Sequence, residues 1–405
     1  MNAIVDAIDA APRAGGAAVA PPLDEQVRFF EDILAEWLAD PDTTVACGRW
    51  SEGAISEILP RGRATLLPAR YDGCFAGVRE LRLDDGPHHL HIDLGRVHRV
   101  SYAIAPCVCF NFRPSFEVRF LTIGPGGAPS DQWVVSLMPS APYHGQALRR
   151  PEVERFLQRA SAHARSRPAA VEVVVDDSVR TGPQGGPLLG IVRDLVGARD
   201  ADWNEALESL VGGPRDAPRV DTADPPCVAL LADALALQDS SLVIHRDRTL
   251  IEFKTEKLDG VHRYVEAGHV SWQIGAFDDH HCHLALSSVA RVLFSAEPVS
   301  CQGGGLNYTA WFLTAGPCGN PYRRDGYFSV VLNRPYTGNE PRPEVIEPMF
   351  DLYRRYRHES WVAADETFLR ALADGPPSRR PERAGGTTAR IAAAGDPAAP
   401  YASPR

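Results

Sequence analysis

The 405-residue chain lacks the features that mark several large classes of protein. No apolar run approaches the roughly 18 residues needed to span a bilayer. The eight cysteines include no CxxC pair, which argues against a disulfide scaffold or a zinc ribbon. The net charge of −10 comes without the clustered Lys and Arg that phosphate backbones require. We therefore expect a cytoplasmic protein that binds neither a membrane nor nucleic acid.

Familiar catalytic and phosphate-binding motifs are also missing. The glycine runs at 124–127 and 303–305 open no helix pattern and carry no GKS or GxGxxG context, so they are interpreted as hairpin loops. The sequence contains no recognisable set of nucleophile, base and oxyanion donor. Whether the chain is an enzyme therefore stays open, because an assignment would depend on analogy of fold alone.

What the sequence does contain is an internal duplication. When His88 is placed against His280, the ungapped alignment to Pro129 and Pro321 has 16 identical positions of 42. The identities include three histidines of an HHxH cluster and a shared FLTxGPxGxP run. Two copies of one unit are therefore predicted, each with enough residues to bury its own core.

The pattern within each copy predicts an α+β protein with antiparallel sheets flanked by helices. Segments rich in β-branched and aromatic residues alternate with Gly/Pro loops, as in 90–104 and 116–123, and again in 284–294 and 308–314. Apolar spacing of three and four residues predicts helices over 23–38, 152–165 and 228–237. The predicted organisation is a disordered arm (1–22), a first repeat (23–168), a connector with a short helix (169–223), a second repeat (224–372) and a disordered tail (373–405).

The HHxH clusters are the main candidates for chemistry. Residues two apart on a strand share a face, so His89 should project with His91, and His281 with His283. Neutral imidazole binds heme iron and also non-heme iron, zinc or copper, so the pairs permit a cofactor without identifying it. The acidic pairs Asp84-Asp85 and Asp278-Asp279 could add a carboxylate, although their offsets differ between the copies. A hydrogen-bonded histidine cluster without a cofactor is the alternative interpretation.

The second copy resembles a known family in the order of its features. The strand pair at 243–245 and 251–254 is followed by a loop, by His283-Leu284 opening a strand, by 290–294 and by a closing helix. This order resembles the HutX/ChuX-type heme-utilisation carriers. With both copies together, the chain resembles the duplicated HemS-type hemin-degrading or hemin-transport proteins.

The resemblance implies two tandem saddle-like sheets with helices alongside, and heme held by histidine near the sheet. By motif position the heme-binding histidines would be His283 and His91, which are also the metal-ligand candidates. His281 and His89 would lie beside them, and His269 or His262 would be the second ligand. Arg291 and Arg99, which match between the copies, could pair with the heme propionates.

We therefore predict a heme-binding protein of the heme-utilisation type, acting as a carrier, in sequestration or in heme degradation. Its expected partner is heme or another small molecule, and a homodimer is possible. The predicted connector contains no histidine, whereas HemS-type proteins are expected to carry their proximal ligand there. An alternative thus stays open, in which the same scaffold is an oxidoreductase dependent on heme, non-heme iron or another transition metal.

Overall fold

The computed structural model describes 23–49, 54–68, 78–83, 89–106, 114–123, 129–140, 142–144, 147–175, 223–246, 249–258, 260–266, 269–276, 279–298, 305–314 and 327–378. The predicted arm, the predicted connector helix and most of the predicted tail lie outside these ranges. Among the helices in them, none is long and apolar enough to cross a membrane.

The first large sheet has nine strands. They are β1 (Thr43–Arg49), β2 (Ala54–Ile58), β6 (Val97–Pro106), β7 (Pro114–Ile123), β8 (Pro129–Pro139), β11 (Val171–Val175), β14 (Val261–Glu266), β15 (His269–Ile274) and β16 (His281–Leu284). Their order across the sheet is β11-β6-β7-β8-β1-β2-β16-β15-β14. All neighbours are antiparallel except β11, which runs parallel to β6.

The second large sheet also has nine strands. They are β3 (Ala64–Pro68), β4 (Val78–Leu83), β5 (His89–Asp93), β12 (Ser240–Arg246), β13 (Thr249–Lys254), β17 (Val289–Pro298), β18 (Leu306–Thr314), β19 (Tyr327–Leu332) and β22 (Val362–Ala364). Their order is β22-β17-β18-β19-β12-β13-β5-β4-β3, again with one parallel edge pair, β22 with β17.

Two short ribbons and five helices complete the described structure. The ribbons pair β9 (Tyr143–His144) with β10 (Ala147–Leu148), and β20 (Tyr336–Thr337) with β21 (Glu340–Pro341). The helices are α1 (Leu23–Leu38), α2 (Arg150–Ser166), α3 (Cys227–Leu235), α4 (Pro343–Tyr356) and α5 (Glu366–Asp374). The α+β class is therefore confirmed, and the sheets are mixed because of their parallel edge strands.

Helix α1 shows why the periodic pattern was informative. Phe30, Ile33, Leu34 and Trp37 recur at spacings of three and four, and all four are buried. Charged and amide side chains occupy most of the opposite face, so a single apolar face can pack against the sheet. The structure places this helix over the bounds predicted from the sequence.

The sheets differ from the prediction in one important respect. The sequence predicted that each copy would build its own sheet, but the second half supplies β14, β15 and β16 to the first sheet. In return, the first half supplies β3, β4 and β5 to the second sheet. Local patterns define strands but not their distant partners, because any exposed edge satisfies the same backbone groups. One continuous core consequently joins the two halves.

Candidate functional site

The exchange of strands places each histidine pair against a glutamate from the other half of the chain. In the first sheet, Glu57 of β2 lies opposite His281 of β16, and Ile55 lies opposite His283. In the second sheet, Glu252 of β13 lies opposite His89 of β5, and Leu250 lies opposite His91. Directly opposite residues of antiparallel strands share a face. Two related His-His-Glu clusters therefore form, each from both halves.

The first of these, which we call the buried cluster, consists of Glu57, His281 and His283. The ring centroids of the two histidines are 5.0 Å apart. The Nε2 atom of His281 lies 3.4 Å from Oε2 of Glu57, an ion-pair distance near the outer limit of a hydrogen bond. One ligand atom from each of the three residues lies within 4.8 Å of the others. The three donors thus converge on one point.

The two imidazoles of the buried cluster are shielded from solvent, and the position of the ring proton can be assigned for one of them. His281 and His283 are only 2% and 5% exposed. The Nδ1 atom of His281 lies 2.7 Å from the carbonyl oxygen of Asp279, which can only accept, so Nδ1 carries the proton and Nε2 faces Glu57. The buried Nε2 atom of His283 has no hydrogen-bond partner among the residues that the structure describes.

The electrostatics of the buried cluster couple its three members. Burial by itself would lower the pKa of His281, but the hydrogen bond and the charge of Glu57 outweigh it and raise that pKa. Burial would raise the pKa of Glu57, and the two histidines lower it instead. Burial lowers the pKa of His283, which the charge of Glu57 offsets only in part. His283 is therefore a neutral imidazole at neutral pH.

The second cluster, which we call the lysine cluster, consists of His89, His91, Glu252 and Lys254. The Nε2 atom of His89 lies 3.1 Å from Oε2 of Glu252, and the His89 and His91 ring centroids are 5.0 Å apart. The Nζ atom of Lys254 donates to Oε1 of Glu252 at 2.7 Å. Burial would raise the pKa of Glu252, but His89 and Lys254 lower it well below its usual range. An ammonium group of the protein thus already pairs with this carboxylate.

The lysine cluster lies on the outward face of the second sheet. Leu250, His91, Glu80 and Leu67 stand opposite one another across β13, β5, β4 and β3. The neighbouring row, made of Ile251, Leu90, Leu81 and Leu66, faces the core because side chains alternate along each strand. His91 is half-buried, and Leu67 is 36% exposed.

Charge surrounds His91 on this face. Arg82 is exposed and lies opposite His89, and its Nε donates to Oε1 of Glu80 at 2.8 Å. Burial and the neighbouring charge of His89 lower the pKa of His91, although Glu80 and Glu252 act in the opposite direction. The imidazole of His91 is consequently neutral at neutral pH, which is the form that binds iron.

The remaining predicted site residues do not join either cluster. His262 is exposed on β14, two strands from His283, and His269 begins β15. Arg99 on β6 donates to Glu172 at 2.7 Å. Arg99 is five strands from His283 in the first sheet, and Arg291 on β17 is five strands from His91 in the second. Five strand spacings correspond to about 24 Å along a flat sheet.

The carboxylates of the two clusters were missed by the sequence analysis. It considered Asp84, Asp85 and Asp278, which lie outside the described residues, and Asp279, which is exposed. The signal that could have found Glu57 and Glu252 is the likeness between the hairpins β1–β2 and β12–β13. In both hairpins the glutamate occupies the same register position, opposite Ala46 and Val243 respectively.

The two clusters fit different ligands. A porphyrin supplies four equatorial nitrogens to its iron, so protein side chains reach heme iron only from two opposite sides. Three converging donors match the coordination of a small ion, and the assignment of His283 as a heme ligand stays a prediction. The half-buried His91 on an open face with apolar and cationic neighbours does fit the demands of heme.

No protein-family model matches the chain, and no curated protein matches it. The solved structures that superpose on it include holo-PhuS, a heme-binding protein from Pseudomonas aeruginosa, at 13% identity over 78% of this chain and 83% of that one, with a TM-score of 0.37. The heme-degrading enzyme ChuS of Escherichia coli O157:H7 gives 13% identity over 78% and 84%, with a TM-score of 0.36.

Proposed function

We propose that the chain is a heme-binding protein of the heme-utilisation type, acting as a carrier, in sequestration or in heme degradation, in which His91 would hold the heme iron. The observation that carries the proposal is the position of His91, a neutral and half-buried imidazole in the middle of an outward sheet face. Heme held by histidine near a sheet is also what the resemblance to HemS-type proteins implies.

The neighbours of His91 supply the other interactions that heme needs. Leu250 and Leu67 lie in the same cross-strand row and offer apolar surface to a flat macrocycle. Arg82 and Lys254 bring two cations to the same face, where propionate carboxylates would find charge-assisted donors. When bound, heme would supply iron for oxygen or electron chemistry, whose course the surrounding protein groups tune.

Absorption spectroscopy tests this proposal. Titration of the full-length protein with hemin is expected to shift the Soret band and to saturate at one hemin per chain. His91→Ala is expected to lower the hemin affinity at least about tenfold, because it removes the axial ligand. His262→Ala is the matched control, since His262 is an exposed strand histidine of the first sheet. A spectrum of free hemin with the wild-type protein, or an unchanged affinity in His91→Ala, would overturn the proposal.

One observation favours the second candidate, an oxidoreductase that depends on a non-heme metal. The convergence of Glu57, His281 and His283 is the donor set of two-histidine-one-carboxylate sites, which are common in non-heme iron oxygenases. Metal analysis of the protein as isolated, combined with the hemin titration, separates the two candidates. Stoichiometric iron in a chain that does not bind hemin would favour the oxidoreductase, and saturable hemin binding, with or without metal at the buried cluster, would favour the heme protein.

A further inference from the structure

We propose that Glu57, His281 and His283 form a binding site for one divalent first-row transition-metal ion, and that the related lysine cluster binds none. The site does not depend on heme binding, because it uses different residues on the other sheet. It is built from both halves of the chain, so it exists only when β2 and β16 are paired.

Two features of the buried cluster favour a bound cation, namely the carboxylate of Glu57 and the imidazole nitrogen of His283 that has no hydrogen-bond partner within the described structure. Glu57 lies opposite His281, and its side chain is only 17% exposed. The Nε2 atom of His283 is buried and has no hydrogen-bond partner within the described structure. A buried polar atom left in this way costs about 1–3 kcal/mol. A metal ion would accept the lone pair of that atom and neutralise the carboxylate at the same time.

The types of donor restrict the class of ion. Two imidazole nitrogens and one carboxylate oxygen suit zinc, iron and related first-row ions, whereas calcium and magnesium prefer oxygen ligands throughout. Cys282 lies between the two histidines, but it faces the opposite side of the sheet, where it stands opposite Ser56 and Ile274. The protein therefore offers three ligands and leaves further coordination positions for water or a small molecule.

The hydrogen bond behind His281 supports the same assignment. Histidines that bind metals usually donate their second ring N–H to a carbonyl or carboxylate, which fixes the tautomer and the ring orientation. His281 has this arrangement, since its Nδ1 lies 2.7 Å from the Asp279 carbonyl oxygen. Its Nε2 faces Glu57, 3.4 Å from Oε2, so that the two groups lie on the same side of the cluster.

The lysine cluster provides an internal comparison for the proposal. Lys254 follows Glu252 by two residues, and Leu59 follows Glu57 by two, so an ammonium group on one sheet corresponds to an apolar side chain on the other. The Nζ atom of Lys254 lies 2.7 Å from Glu252 and so occupies the region in which a cation would bind. Competition with a covalently attached cation disfavours a metal ion at this cluster.

Zinc titration of the full-length protein after chelator treatment tests the proposal. The wild-type chain is expected to bind one Zn²⁺ by calorimetry, and Co²⁺ substitution should give visible absorption bands of a nitrogen/oxygen site. His283→Ala and Glu57→Gln should each weaken Zn²⁺ binding by more than the roughly 10–100-fold that the loss of an outer-shell partner causes. Glu252→Gln is the matched control and should keep the wild-type affinity.

Far-UV circular dichroism and thermal unfolding distinguish variants that no longer fold from folded variants that no longer bind the metal ion.

Leu59→Lys supplies a second test, because it should place an ammonium group beside Glu57 and abolish Zn²⁺ binding in a folded protein. Zn²⁺ binding that survives both Glu57→Gln and His283→Ala would identify surface histidines as the ligands and overturn the proposal. Absence of Zn²⁺, Co²⁺ and Fe²⁺ binding to the folded wild-type chain would overturn it as well.

The outcomes for heme and for metal are distinguishable. Hemin binding is measured on chelator-treated protein, and zinc binding is measured without hemin. Failure of the His91→Ala prediction concerns the lysine cluster alone, and failure of the His283→Ala prediction concerns the buried cluster alone.

Discussion

The buried cluster and the lysine cluster have the same backbone plan and different surroundings. In each, two histidines of one half stand in register with a glutamate of the other half. Beside the histidines of the lysine cluster lie Glu80 and Arg82, while Gln273 and Gly275 lie beside those of the buried cluster. The neighbours are thus charged in the half-buried lysine cluster and neutral in the buried cluster.

This difference shows how one scaffold can acquire two binding chemistries. Backbone pairing determines which side chains face one another. The charge of the neighbouring residues then determines which ligand each cluster can bind. Gly275 illustrates the constraint, because its φ is +89° and a Cβ there would lie 2.4 Å from the His280 carbonyl oxygen. A side chain like that of Arg82 could not occupy this position without moving β16.

The largest expected effect concerns the residue between the two histidines, which is Leu90 in one cluster and Cys282 in the other. Both are fully buried on the core face of their strand. Leu90→Ala should lower the free energy of unfolding by about 2–5 kcal/mol, because it leaves a cavity where three side-chain carbons were removed. Cys282→Ala removes only a sulfur atom and should cost less. Urea unfolding measures the free energy of unfolding of both variants. An equal decrease in the two variants would contradict equivalent packing of the two strands.

The next prediction concerns the two ion pairs in the metal-free protein. His281→Ala should lower the free energy of unfolding by about 3 kcal/mol, the lower end of the range for breaking a buried pair, because Glu57 then lacks its charged partner. His89→Ala should cost less, since Glu252 keeps Lys254. The double variant His281→Ala/Glu57→Gln should recover part of the loss in the same urea experiment. Equal losses in the two single variants would remove the distinction between the clusters.

Substitution of the lysine should make the two clusters more alike. Lys254→Leu introduces the residue found at the corresponding position of the buried cluster, and it leaves Glu252 with His89 and His91 as its neighbours. The Zn²⁺ stoichiometry is expected to rise from one toward two per chain, as measured by calorimetry after chelator treatment. Lys254→Arg, which keeps the positive charge, is the control. A stoichiometry that stays at one in Lys254→Leu would show that the lysine is not what excludes the ion.

The smallest effect is expected at the arginines that match between the copies. Arg99→Ala breaks a partly exposed ion pair with Glu172, which should cost about 0.2–1 kcal/mol. Because Arg99 lies in the first sheet and His91 in the second, hemin affinity should stay at the wild-type value. Arg82→Ala should weaken hemin binding by comparison, since Arg82 shares the face of His91. If Arg99→Ala instead weakened hemin binding more than Arg82→Ala, the sequence-based assignment of Arg99 to the heme propionates would be restored.

Much of the local structure could be predicted because it depends on neighbours in the chain. The bounds of α1 follow from the spacing of its apolar residues, and the shared face of His281 and His283 follows from strand alternation. The segment 284–294 was predicted as one strand, but a 3-10 turn at Leu286–Ser288 divides it. Such a turn leaves little trace in a pattern of hydrophobicity, because Leu286 is buried as a strand residue would be.

The sequence by itself determined that two histidines lie together on each of two related strands, because alternation along a strand is a local property. Only the tertiary structure decided that Glu57 meets His281 and that Glu252 meets His89. The partner of β16 is β2, a strand more than 200 residues earlier in the chain. Backbone hydrogen bonds are alike for every strand, so the choice of partner strand depends on how the whole core packs. Core packing therefore also decides which residues form each site.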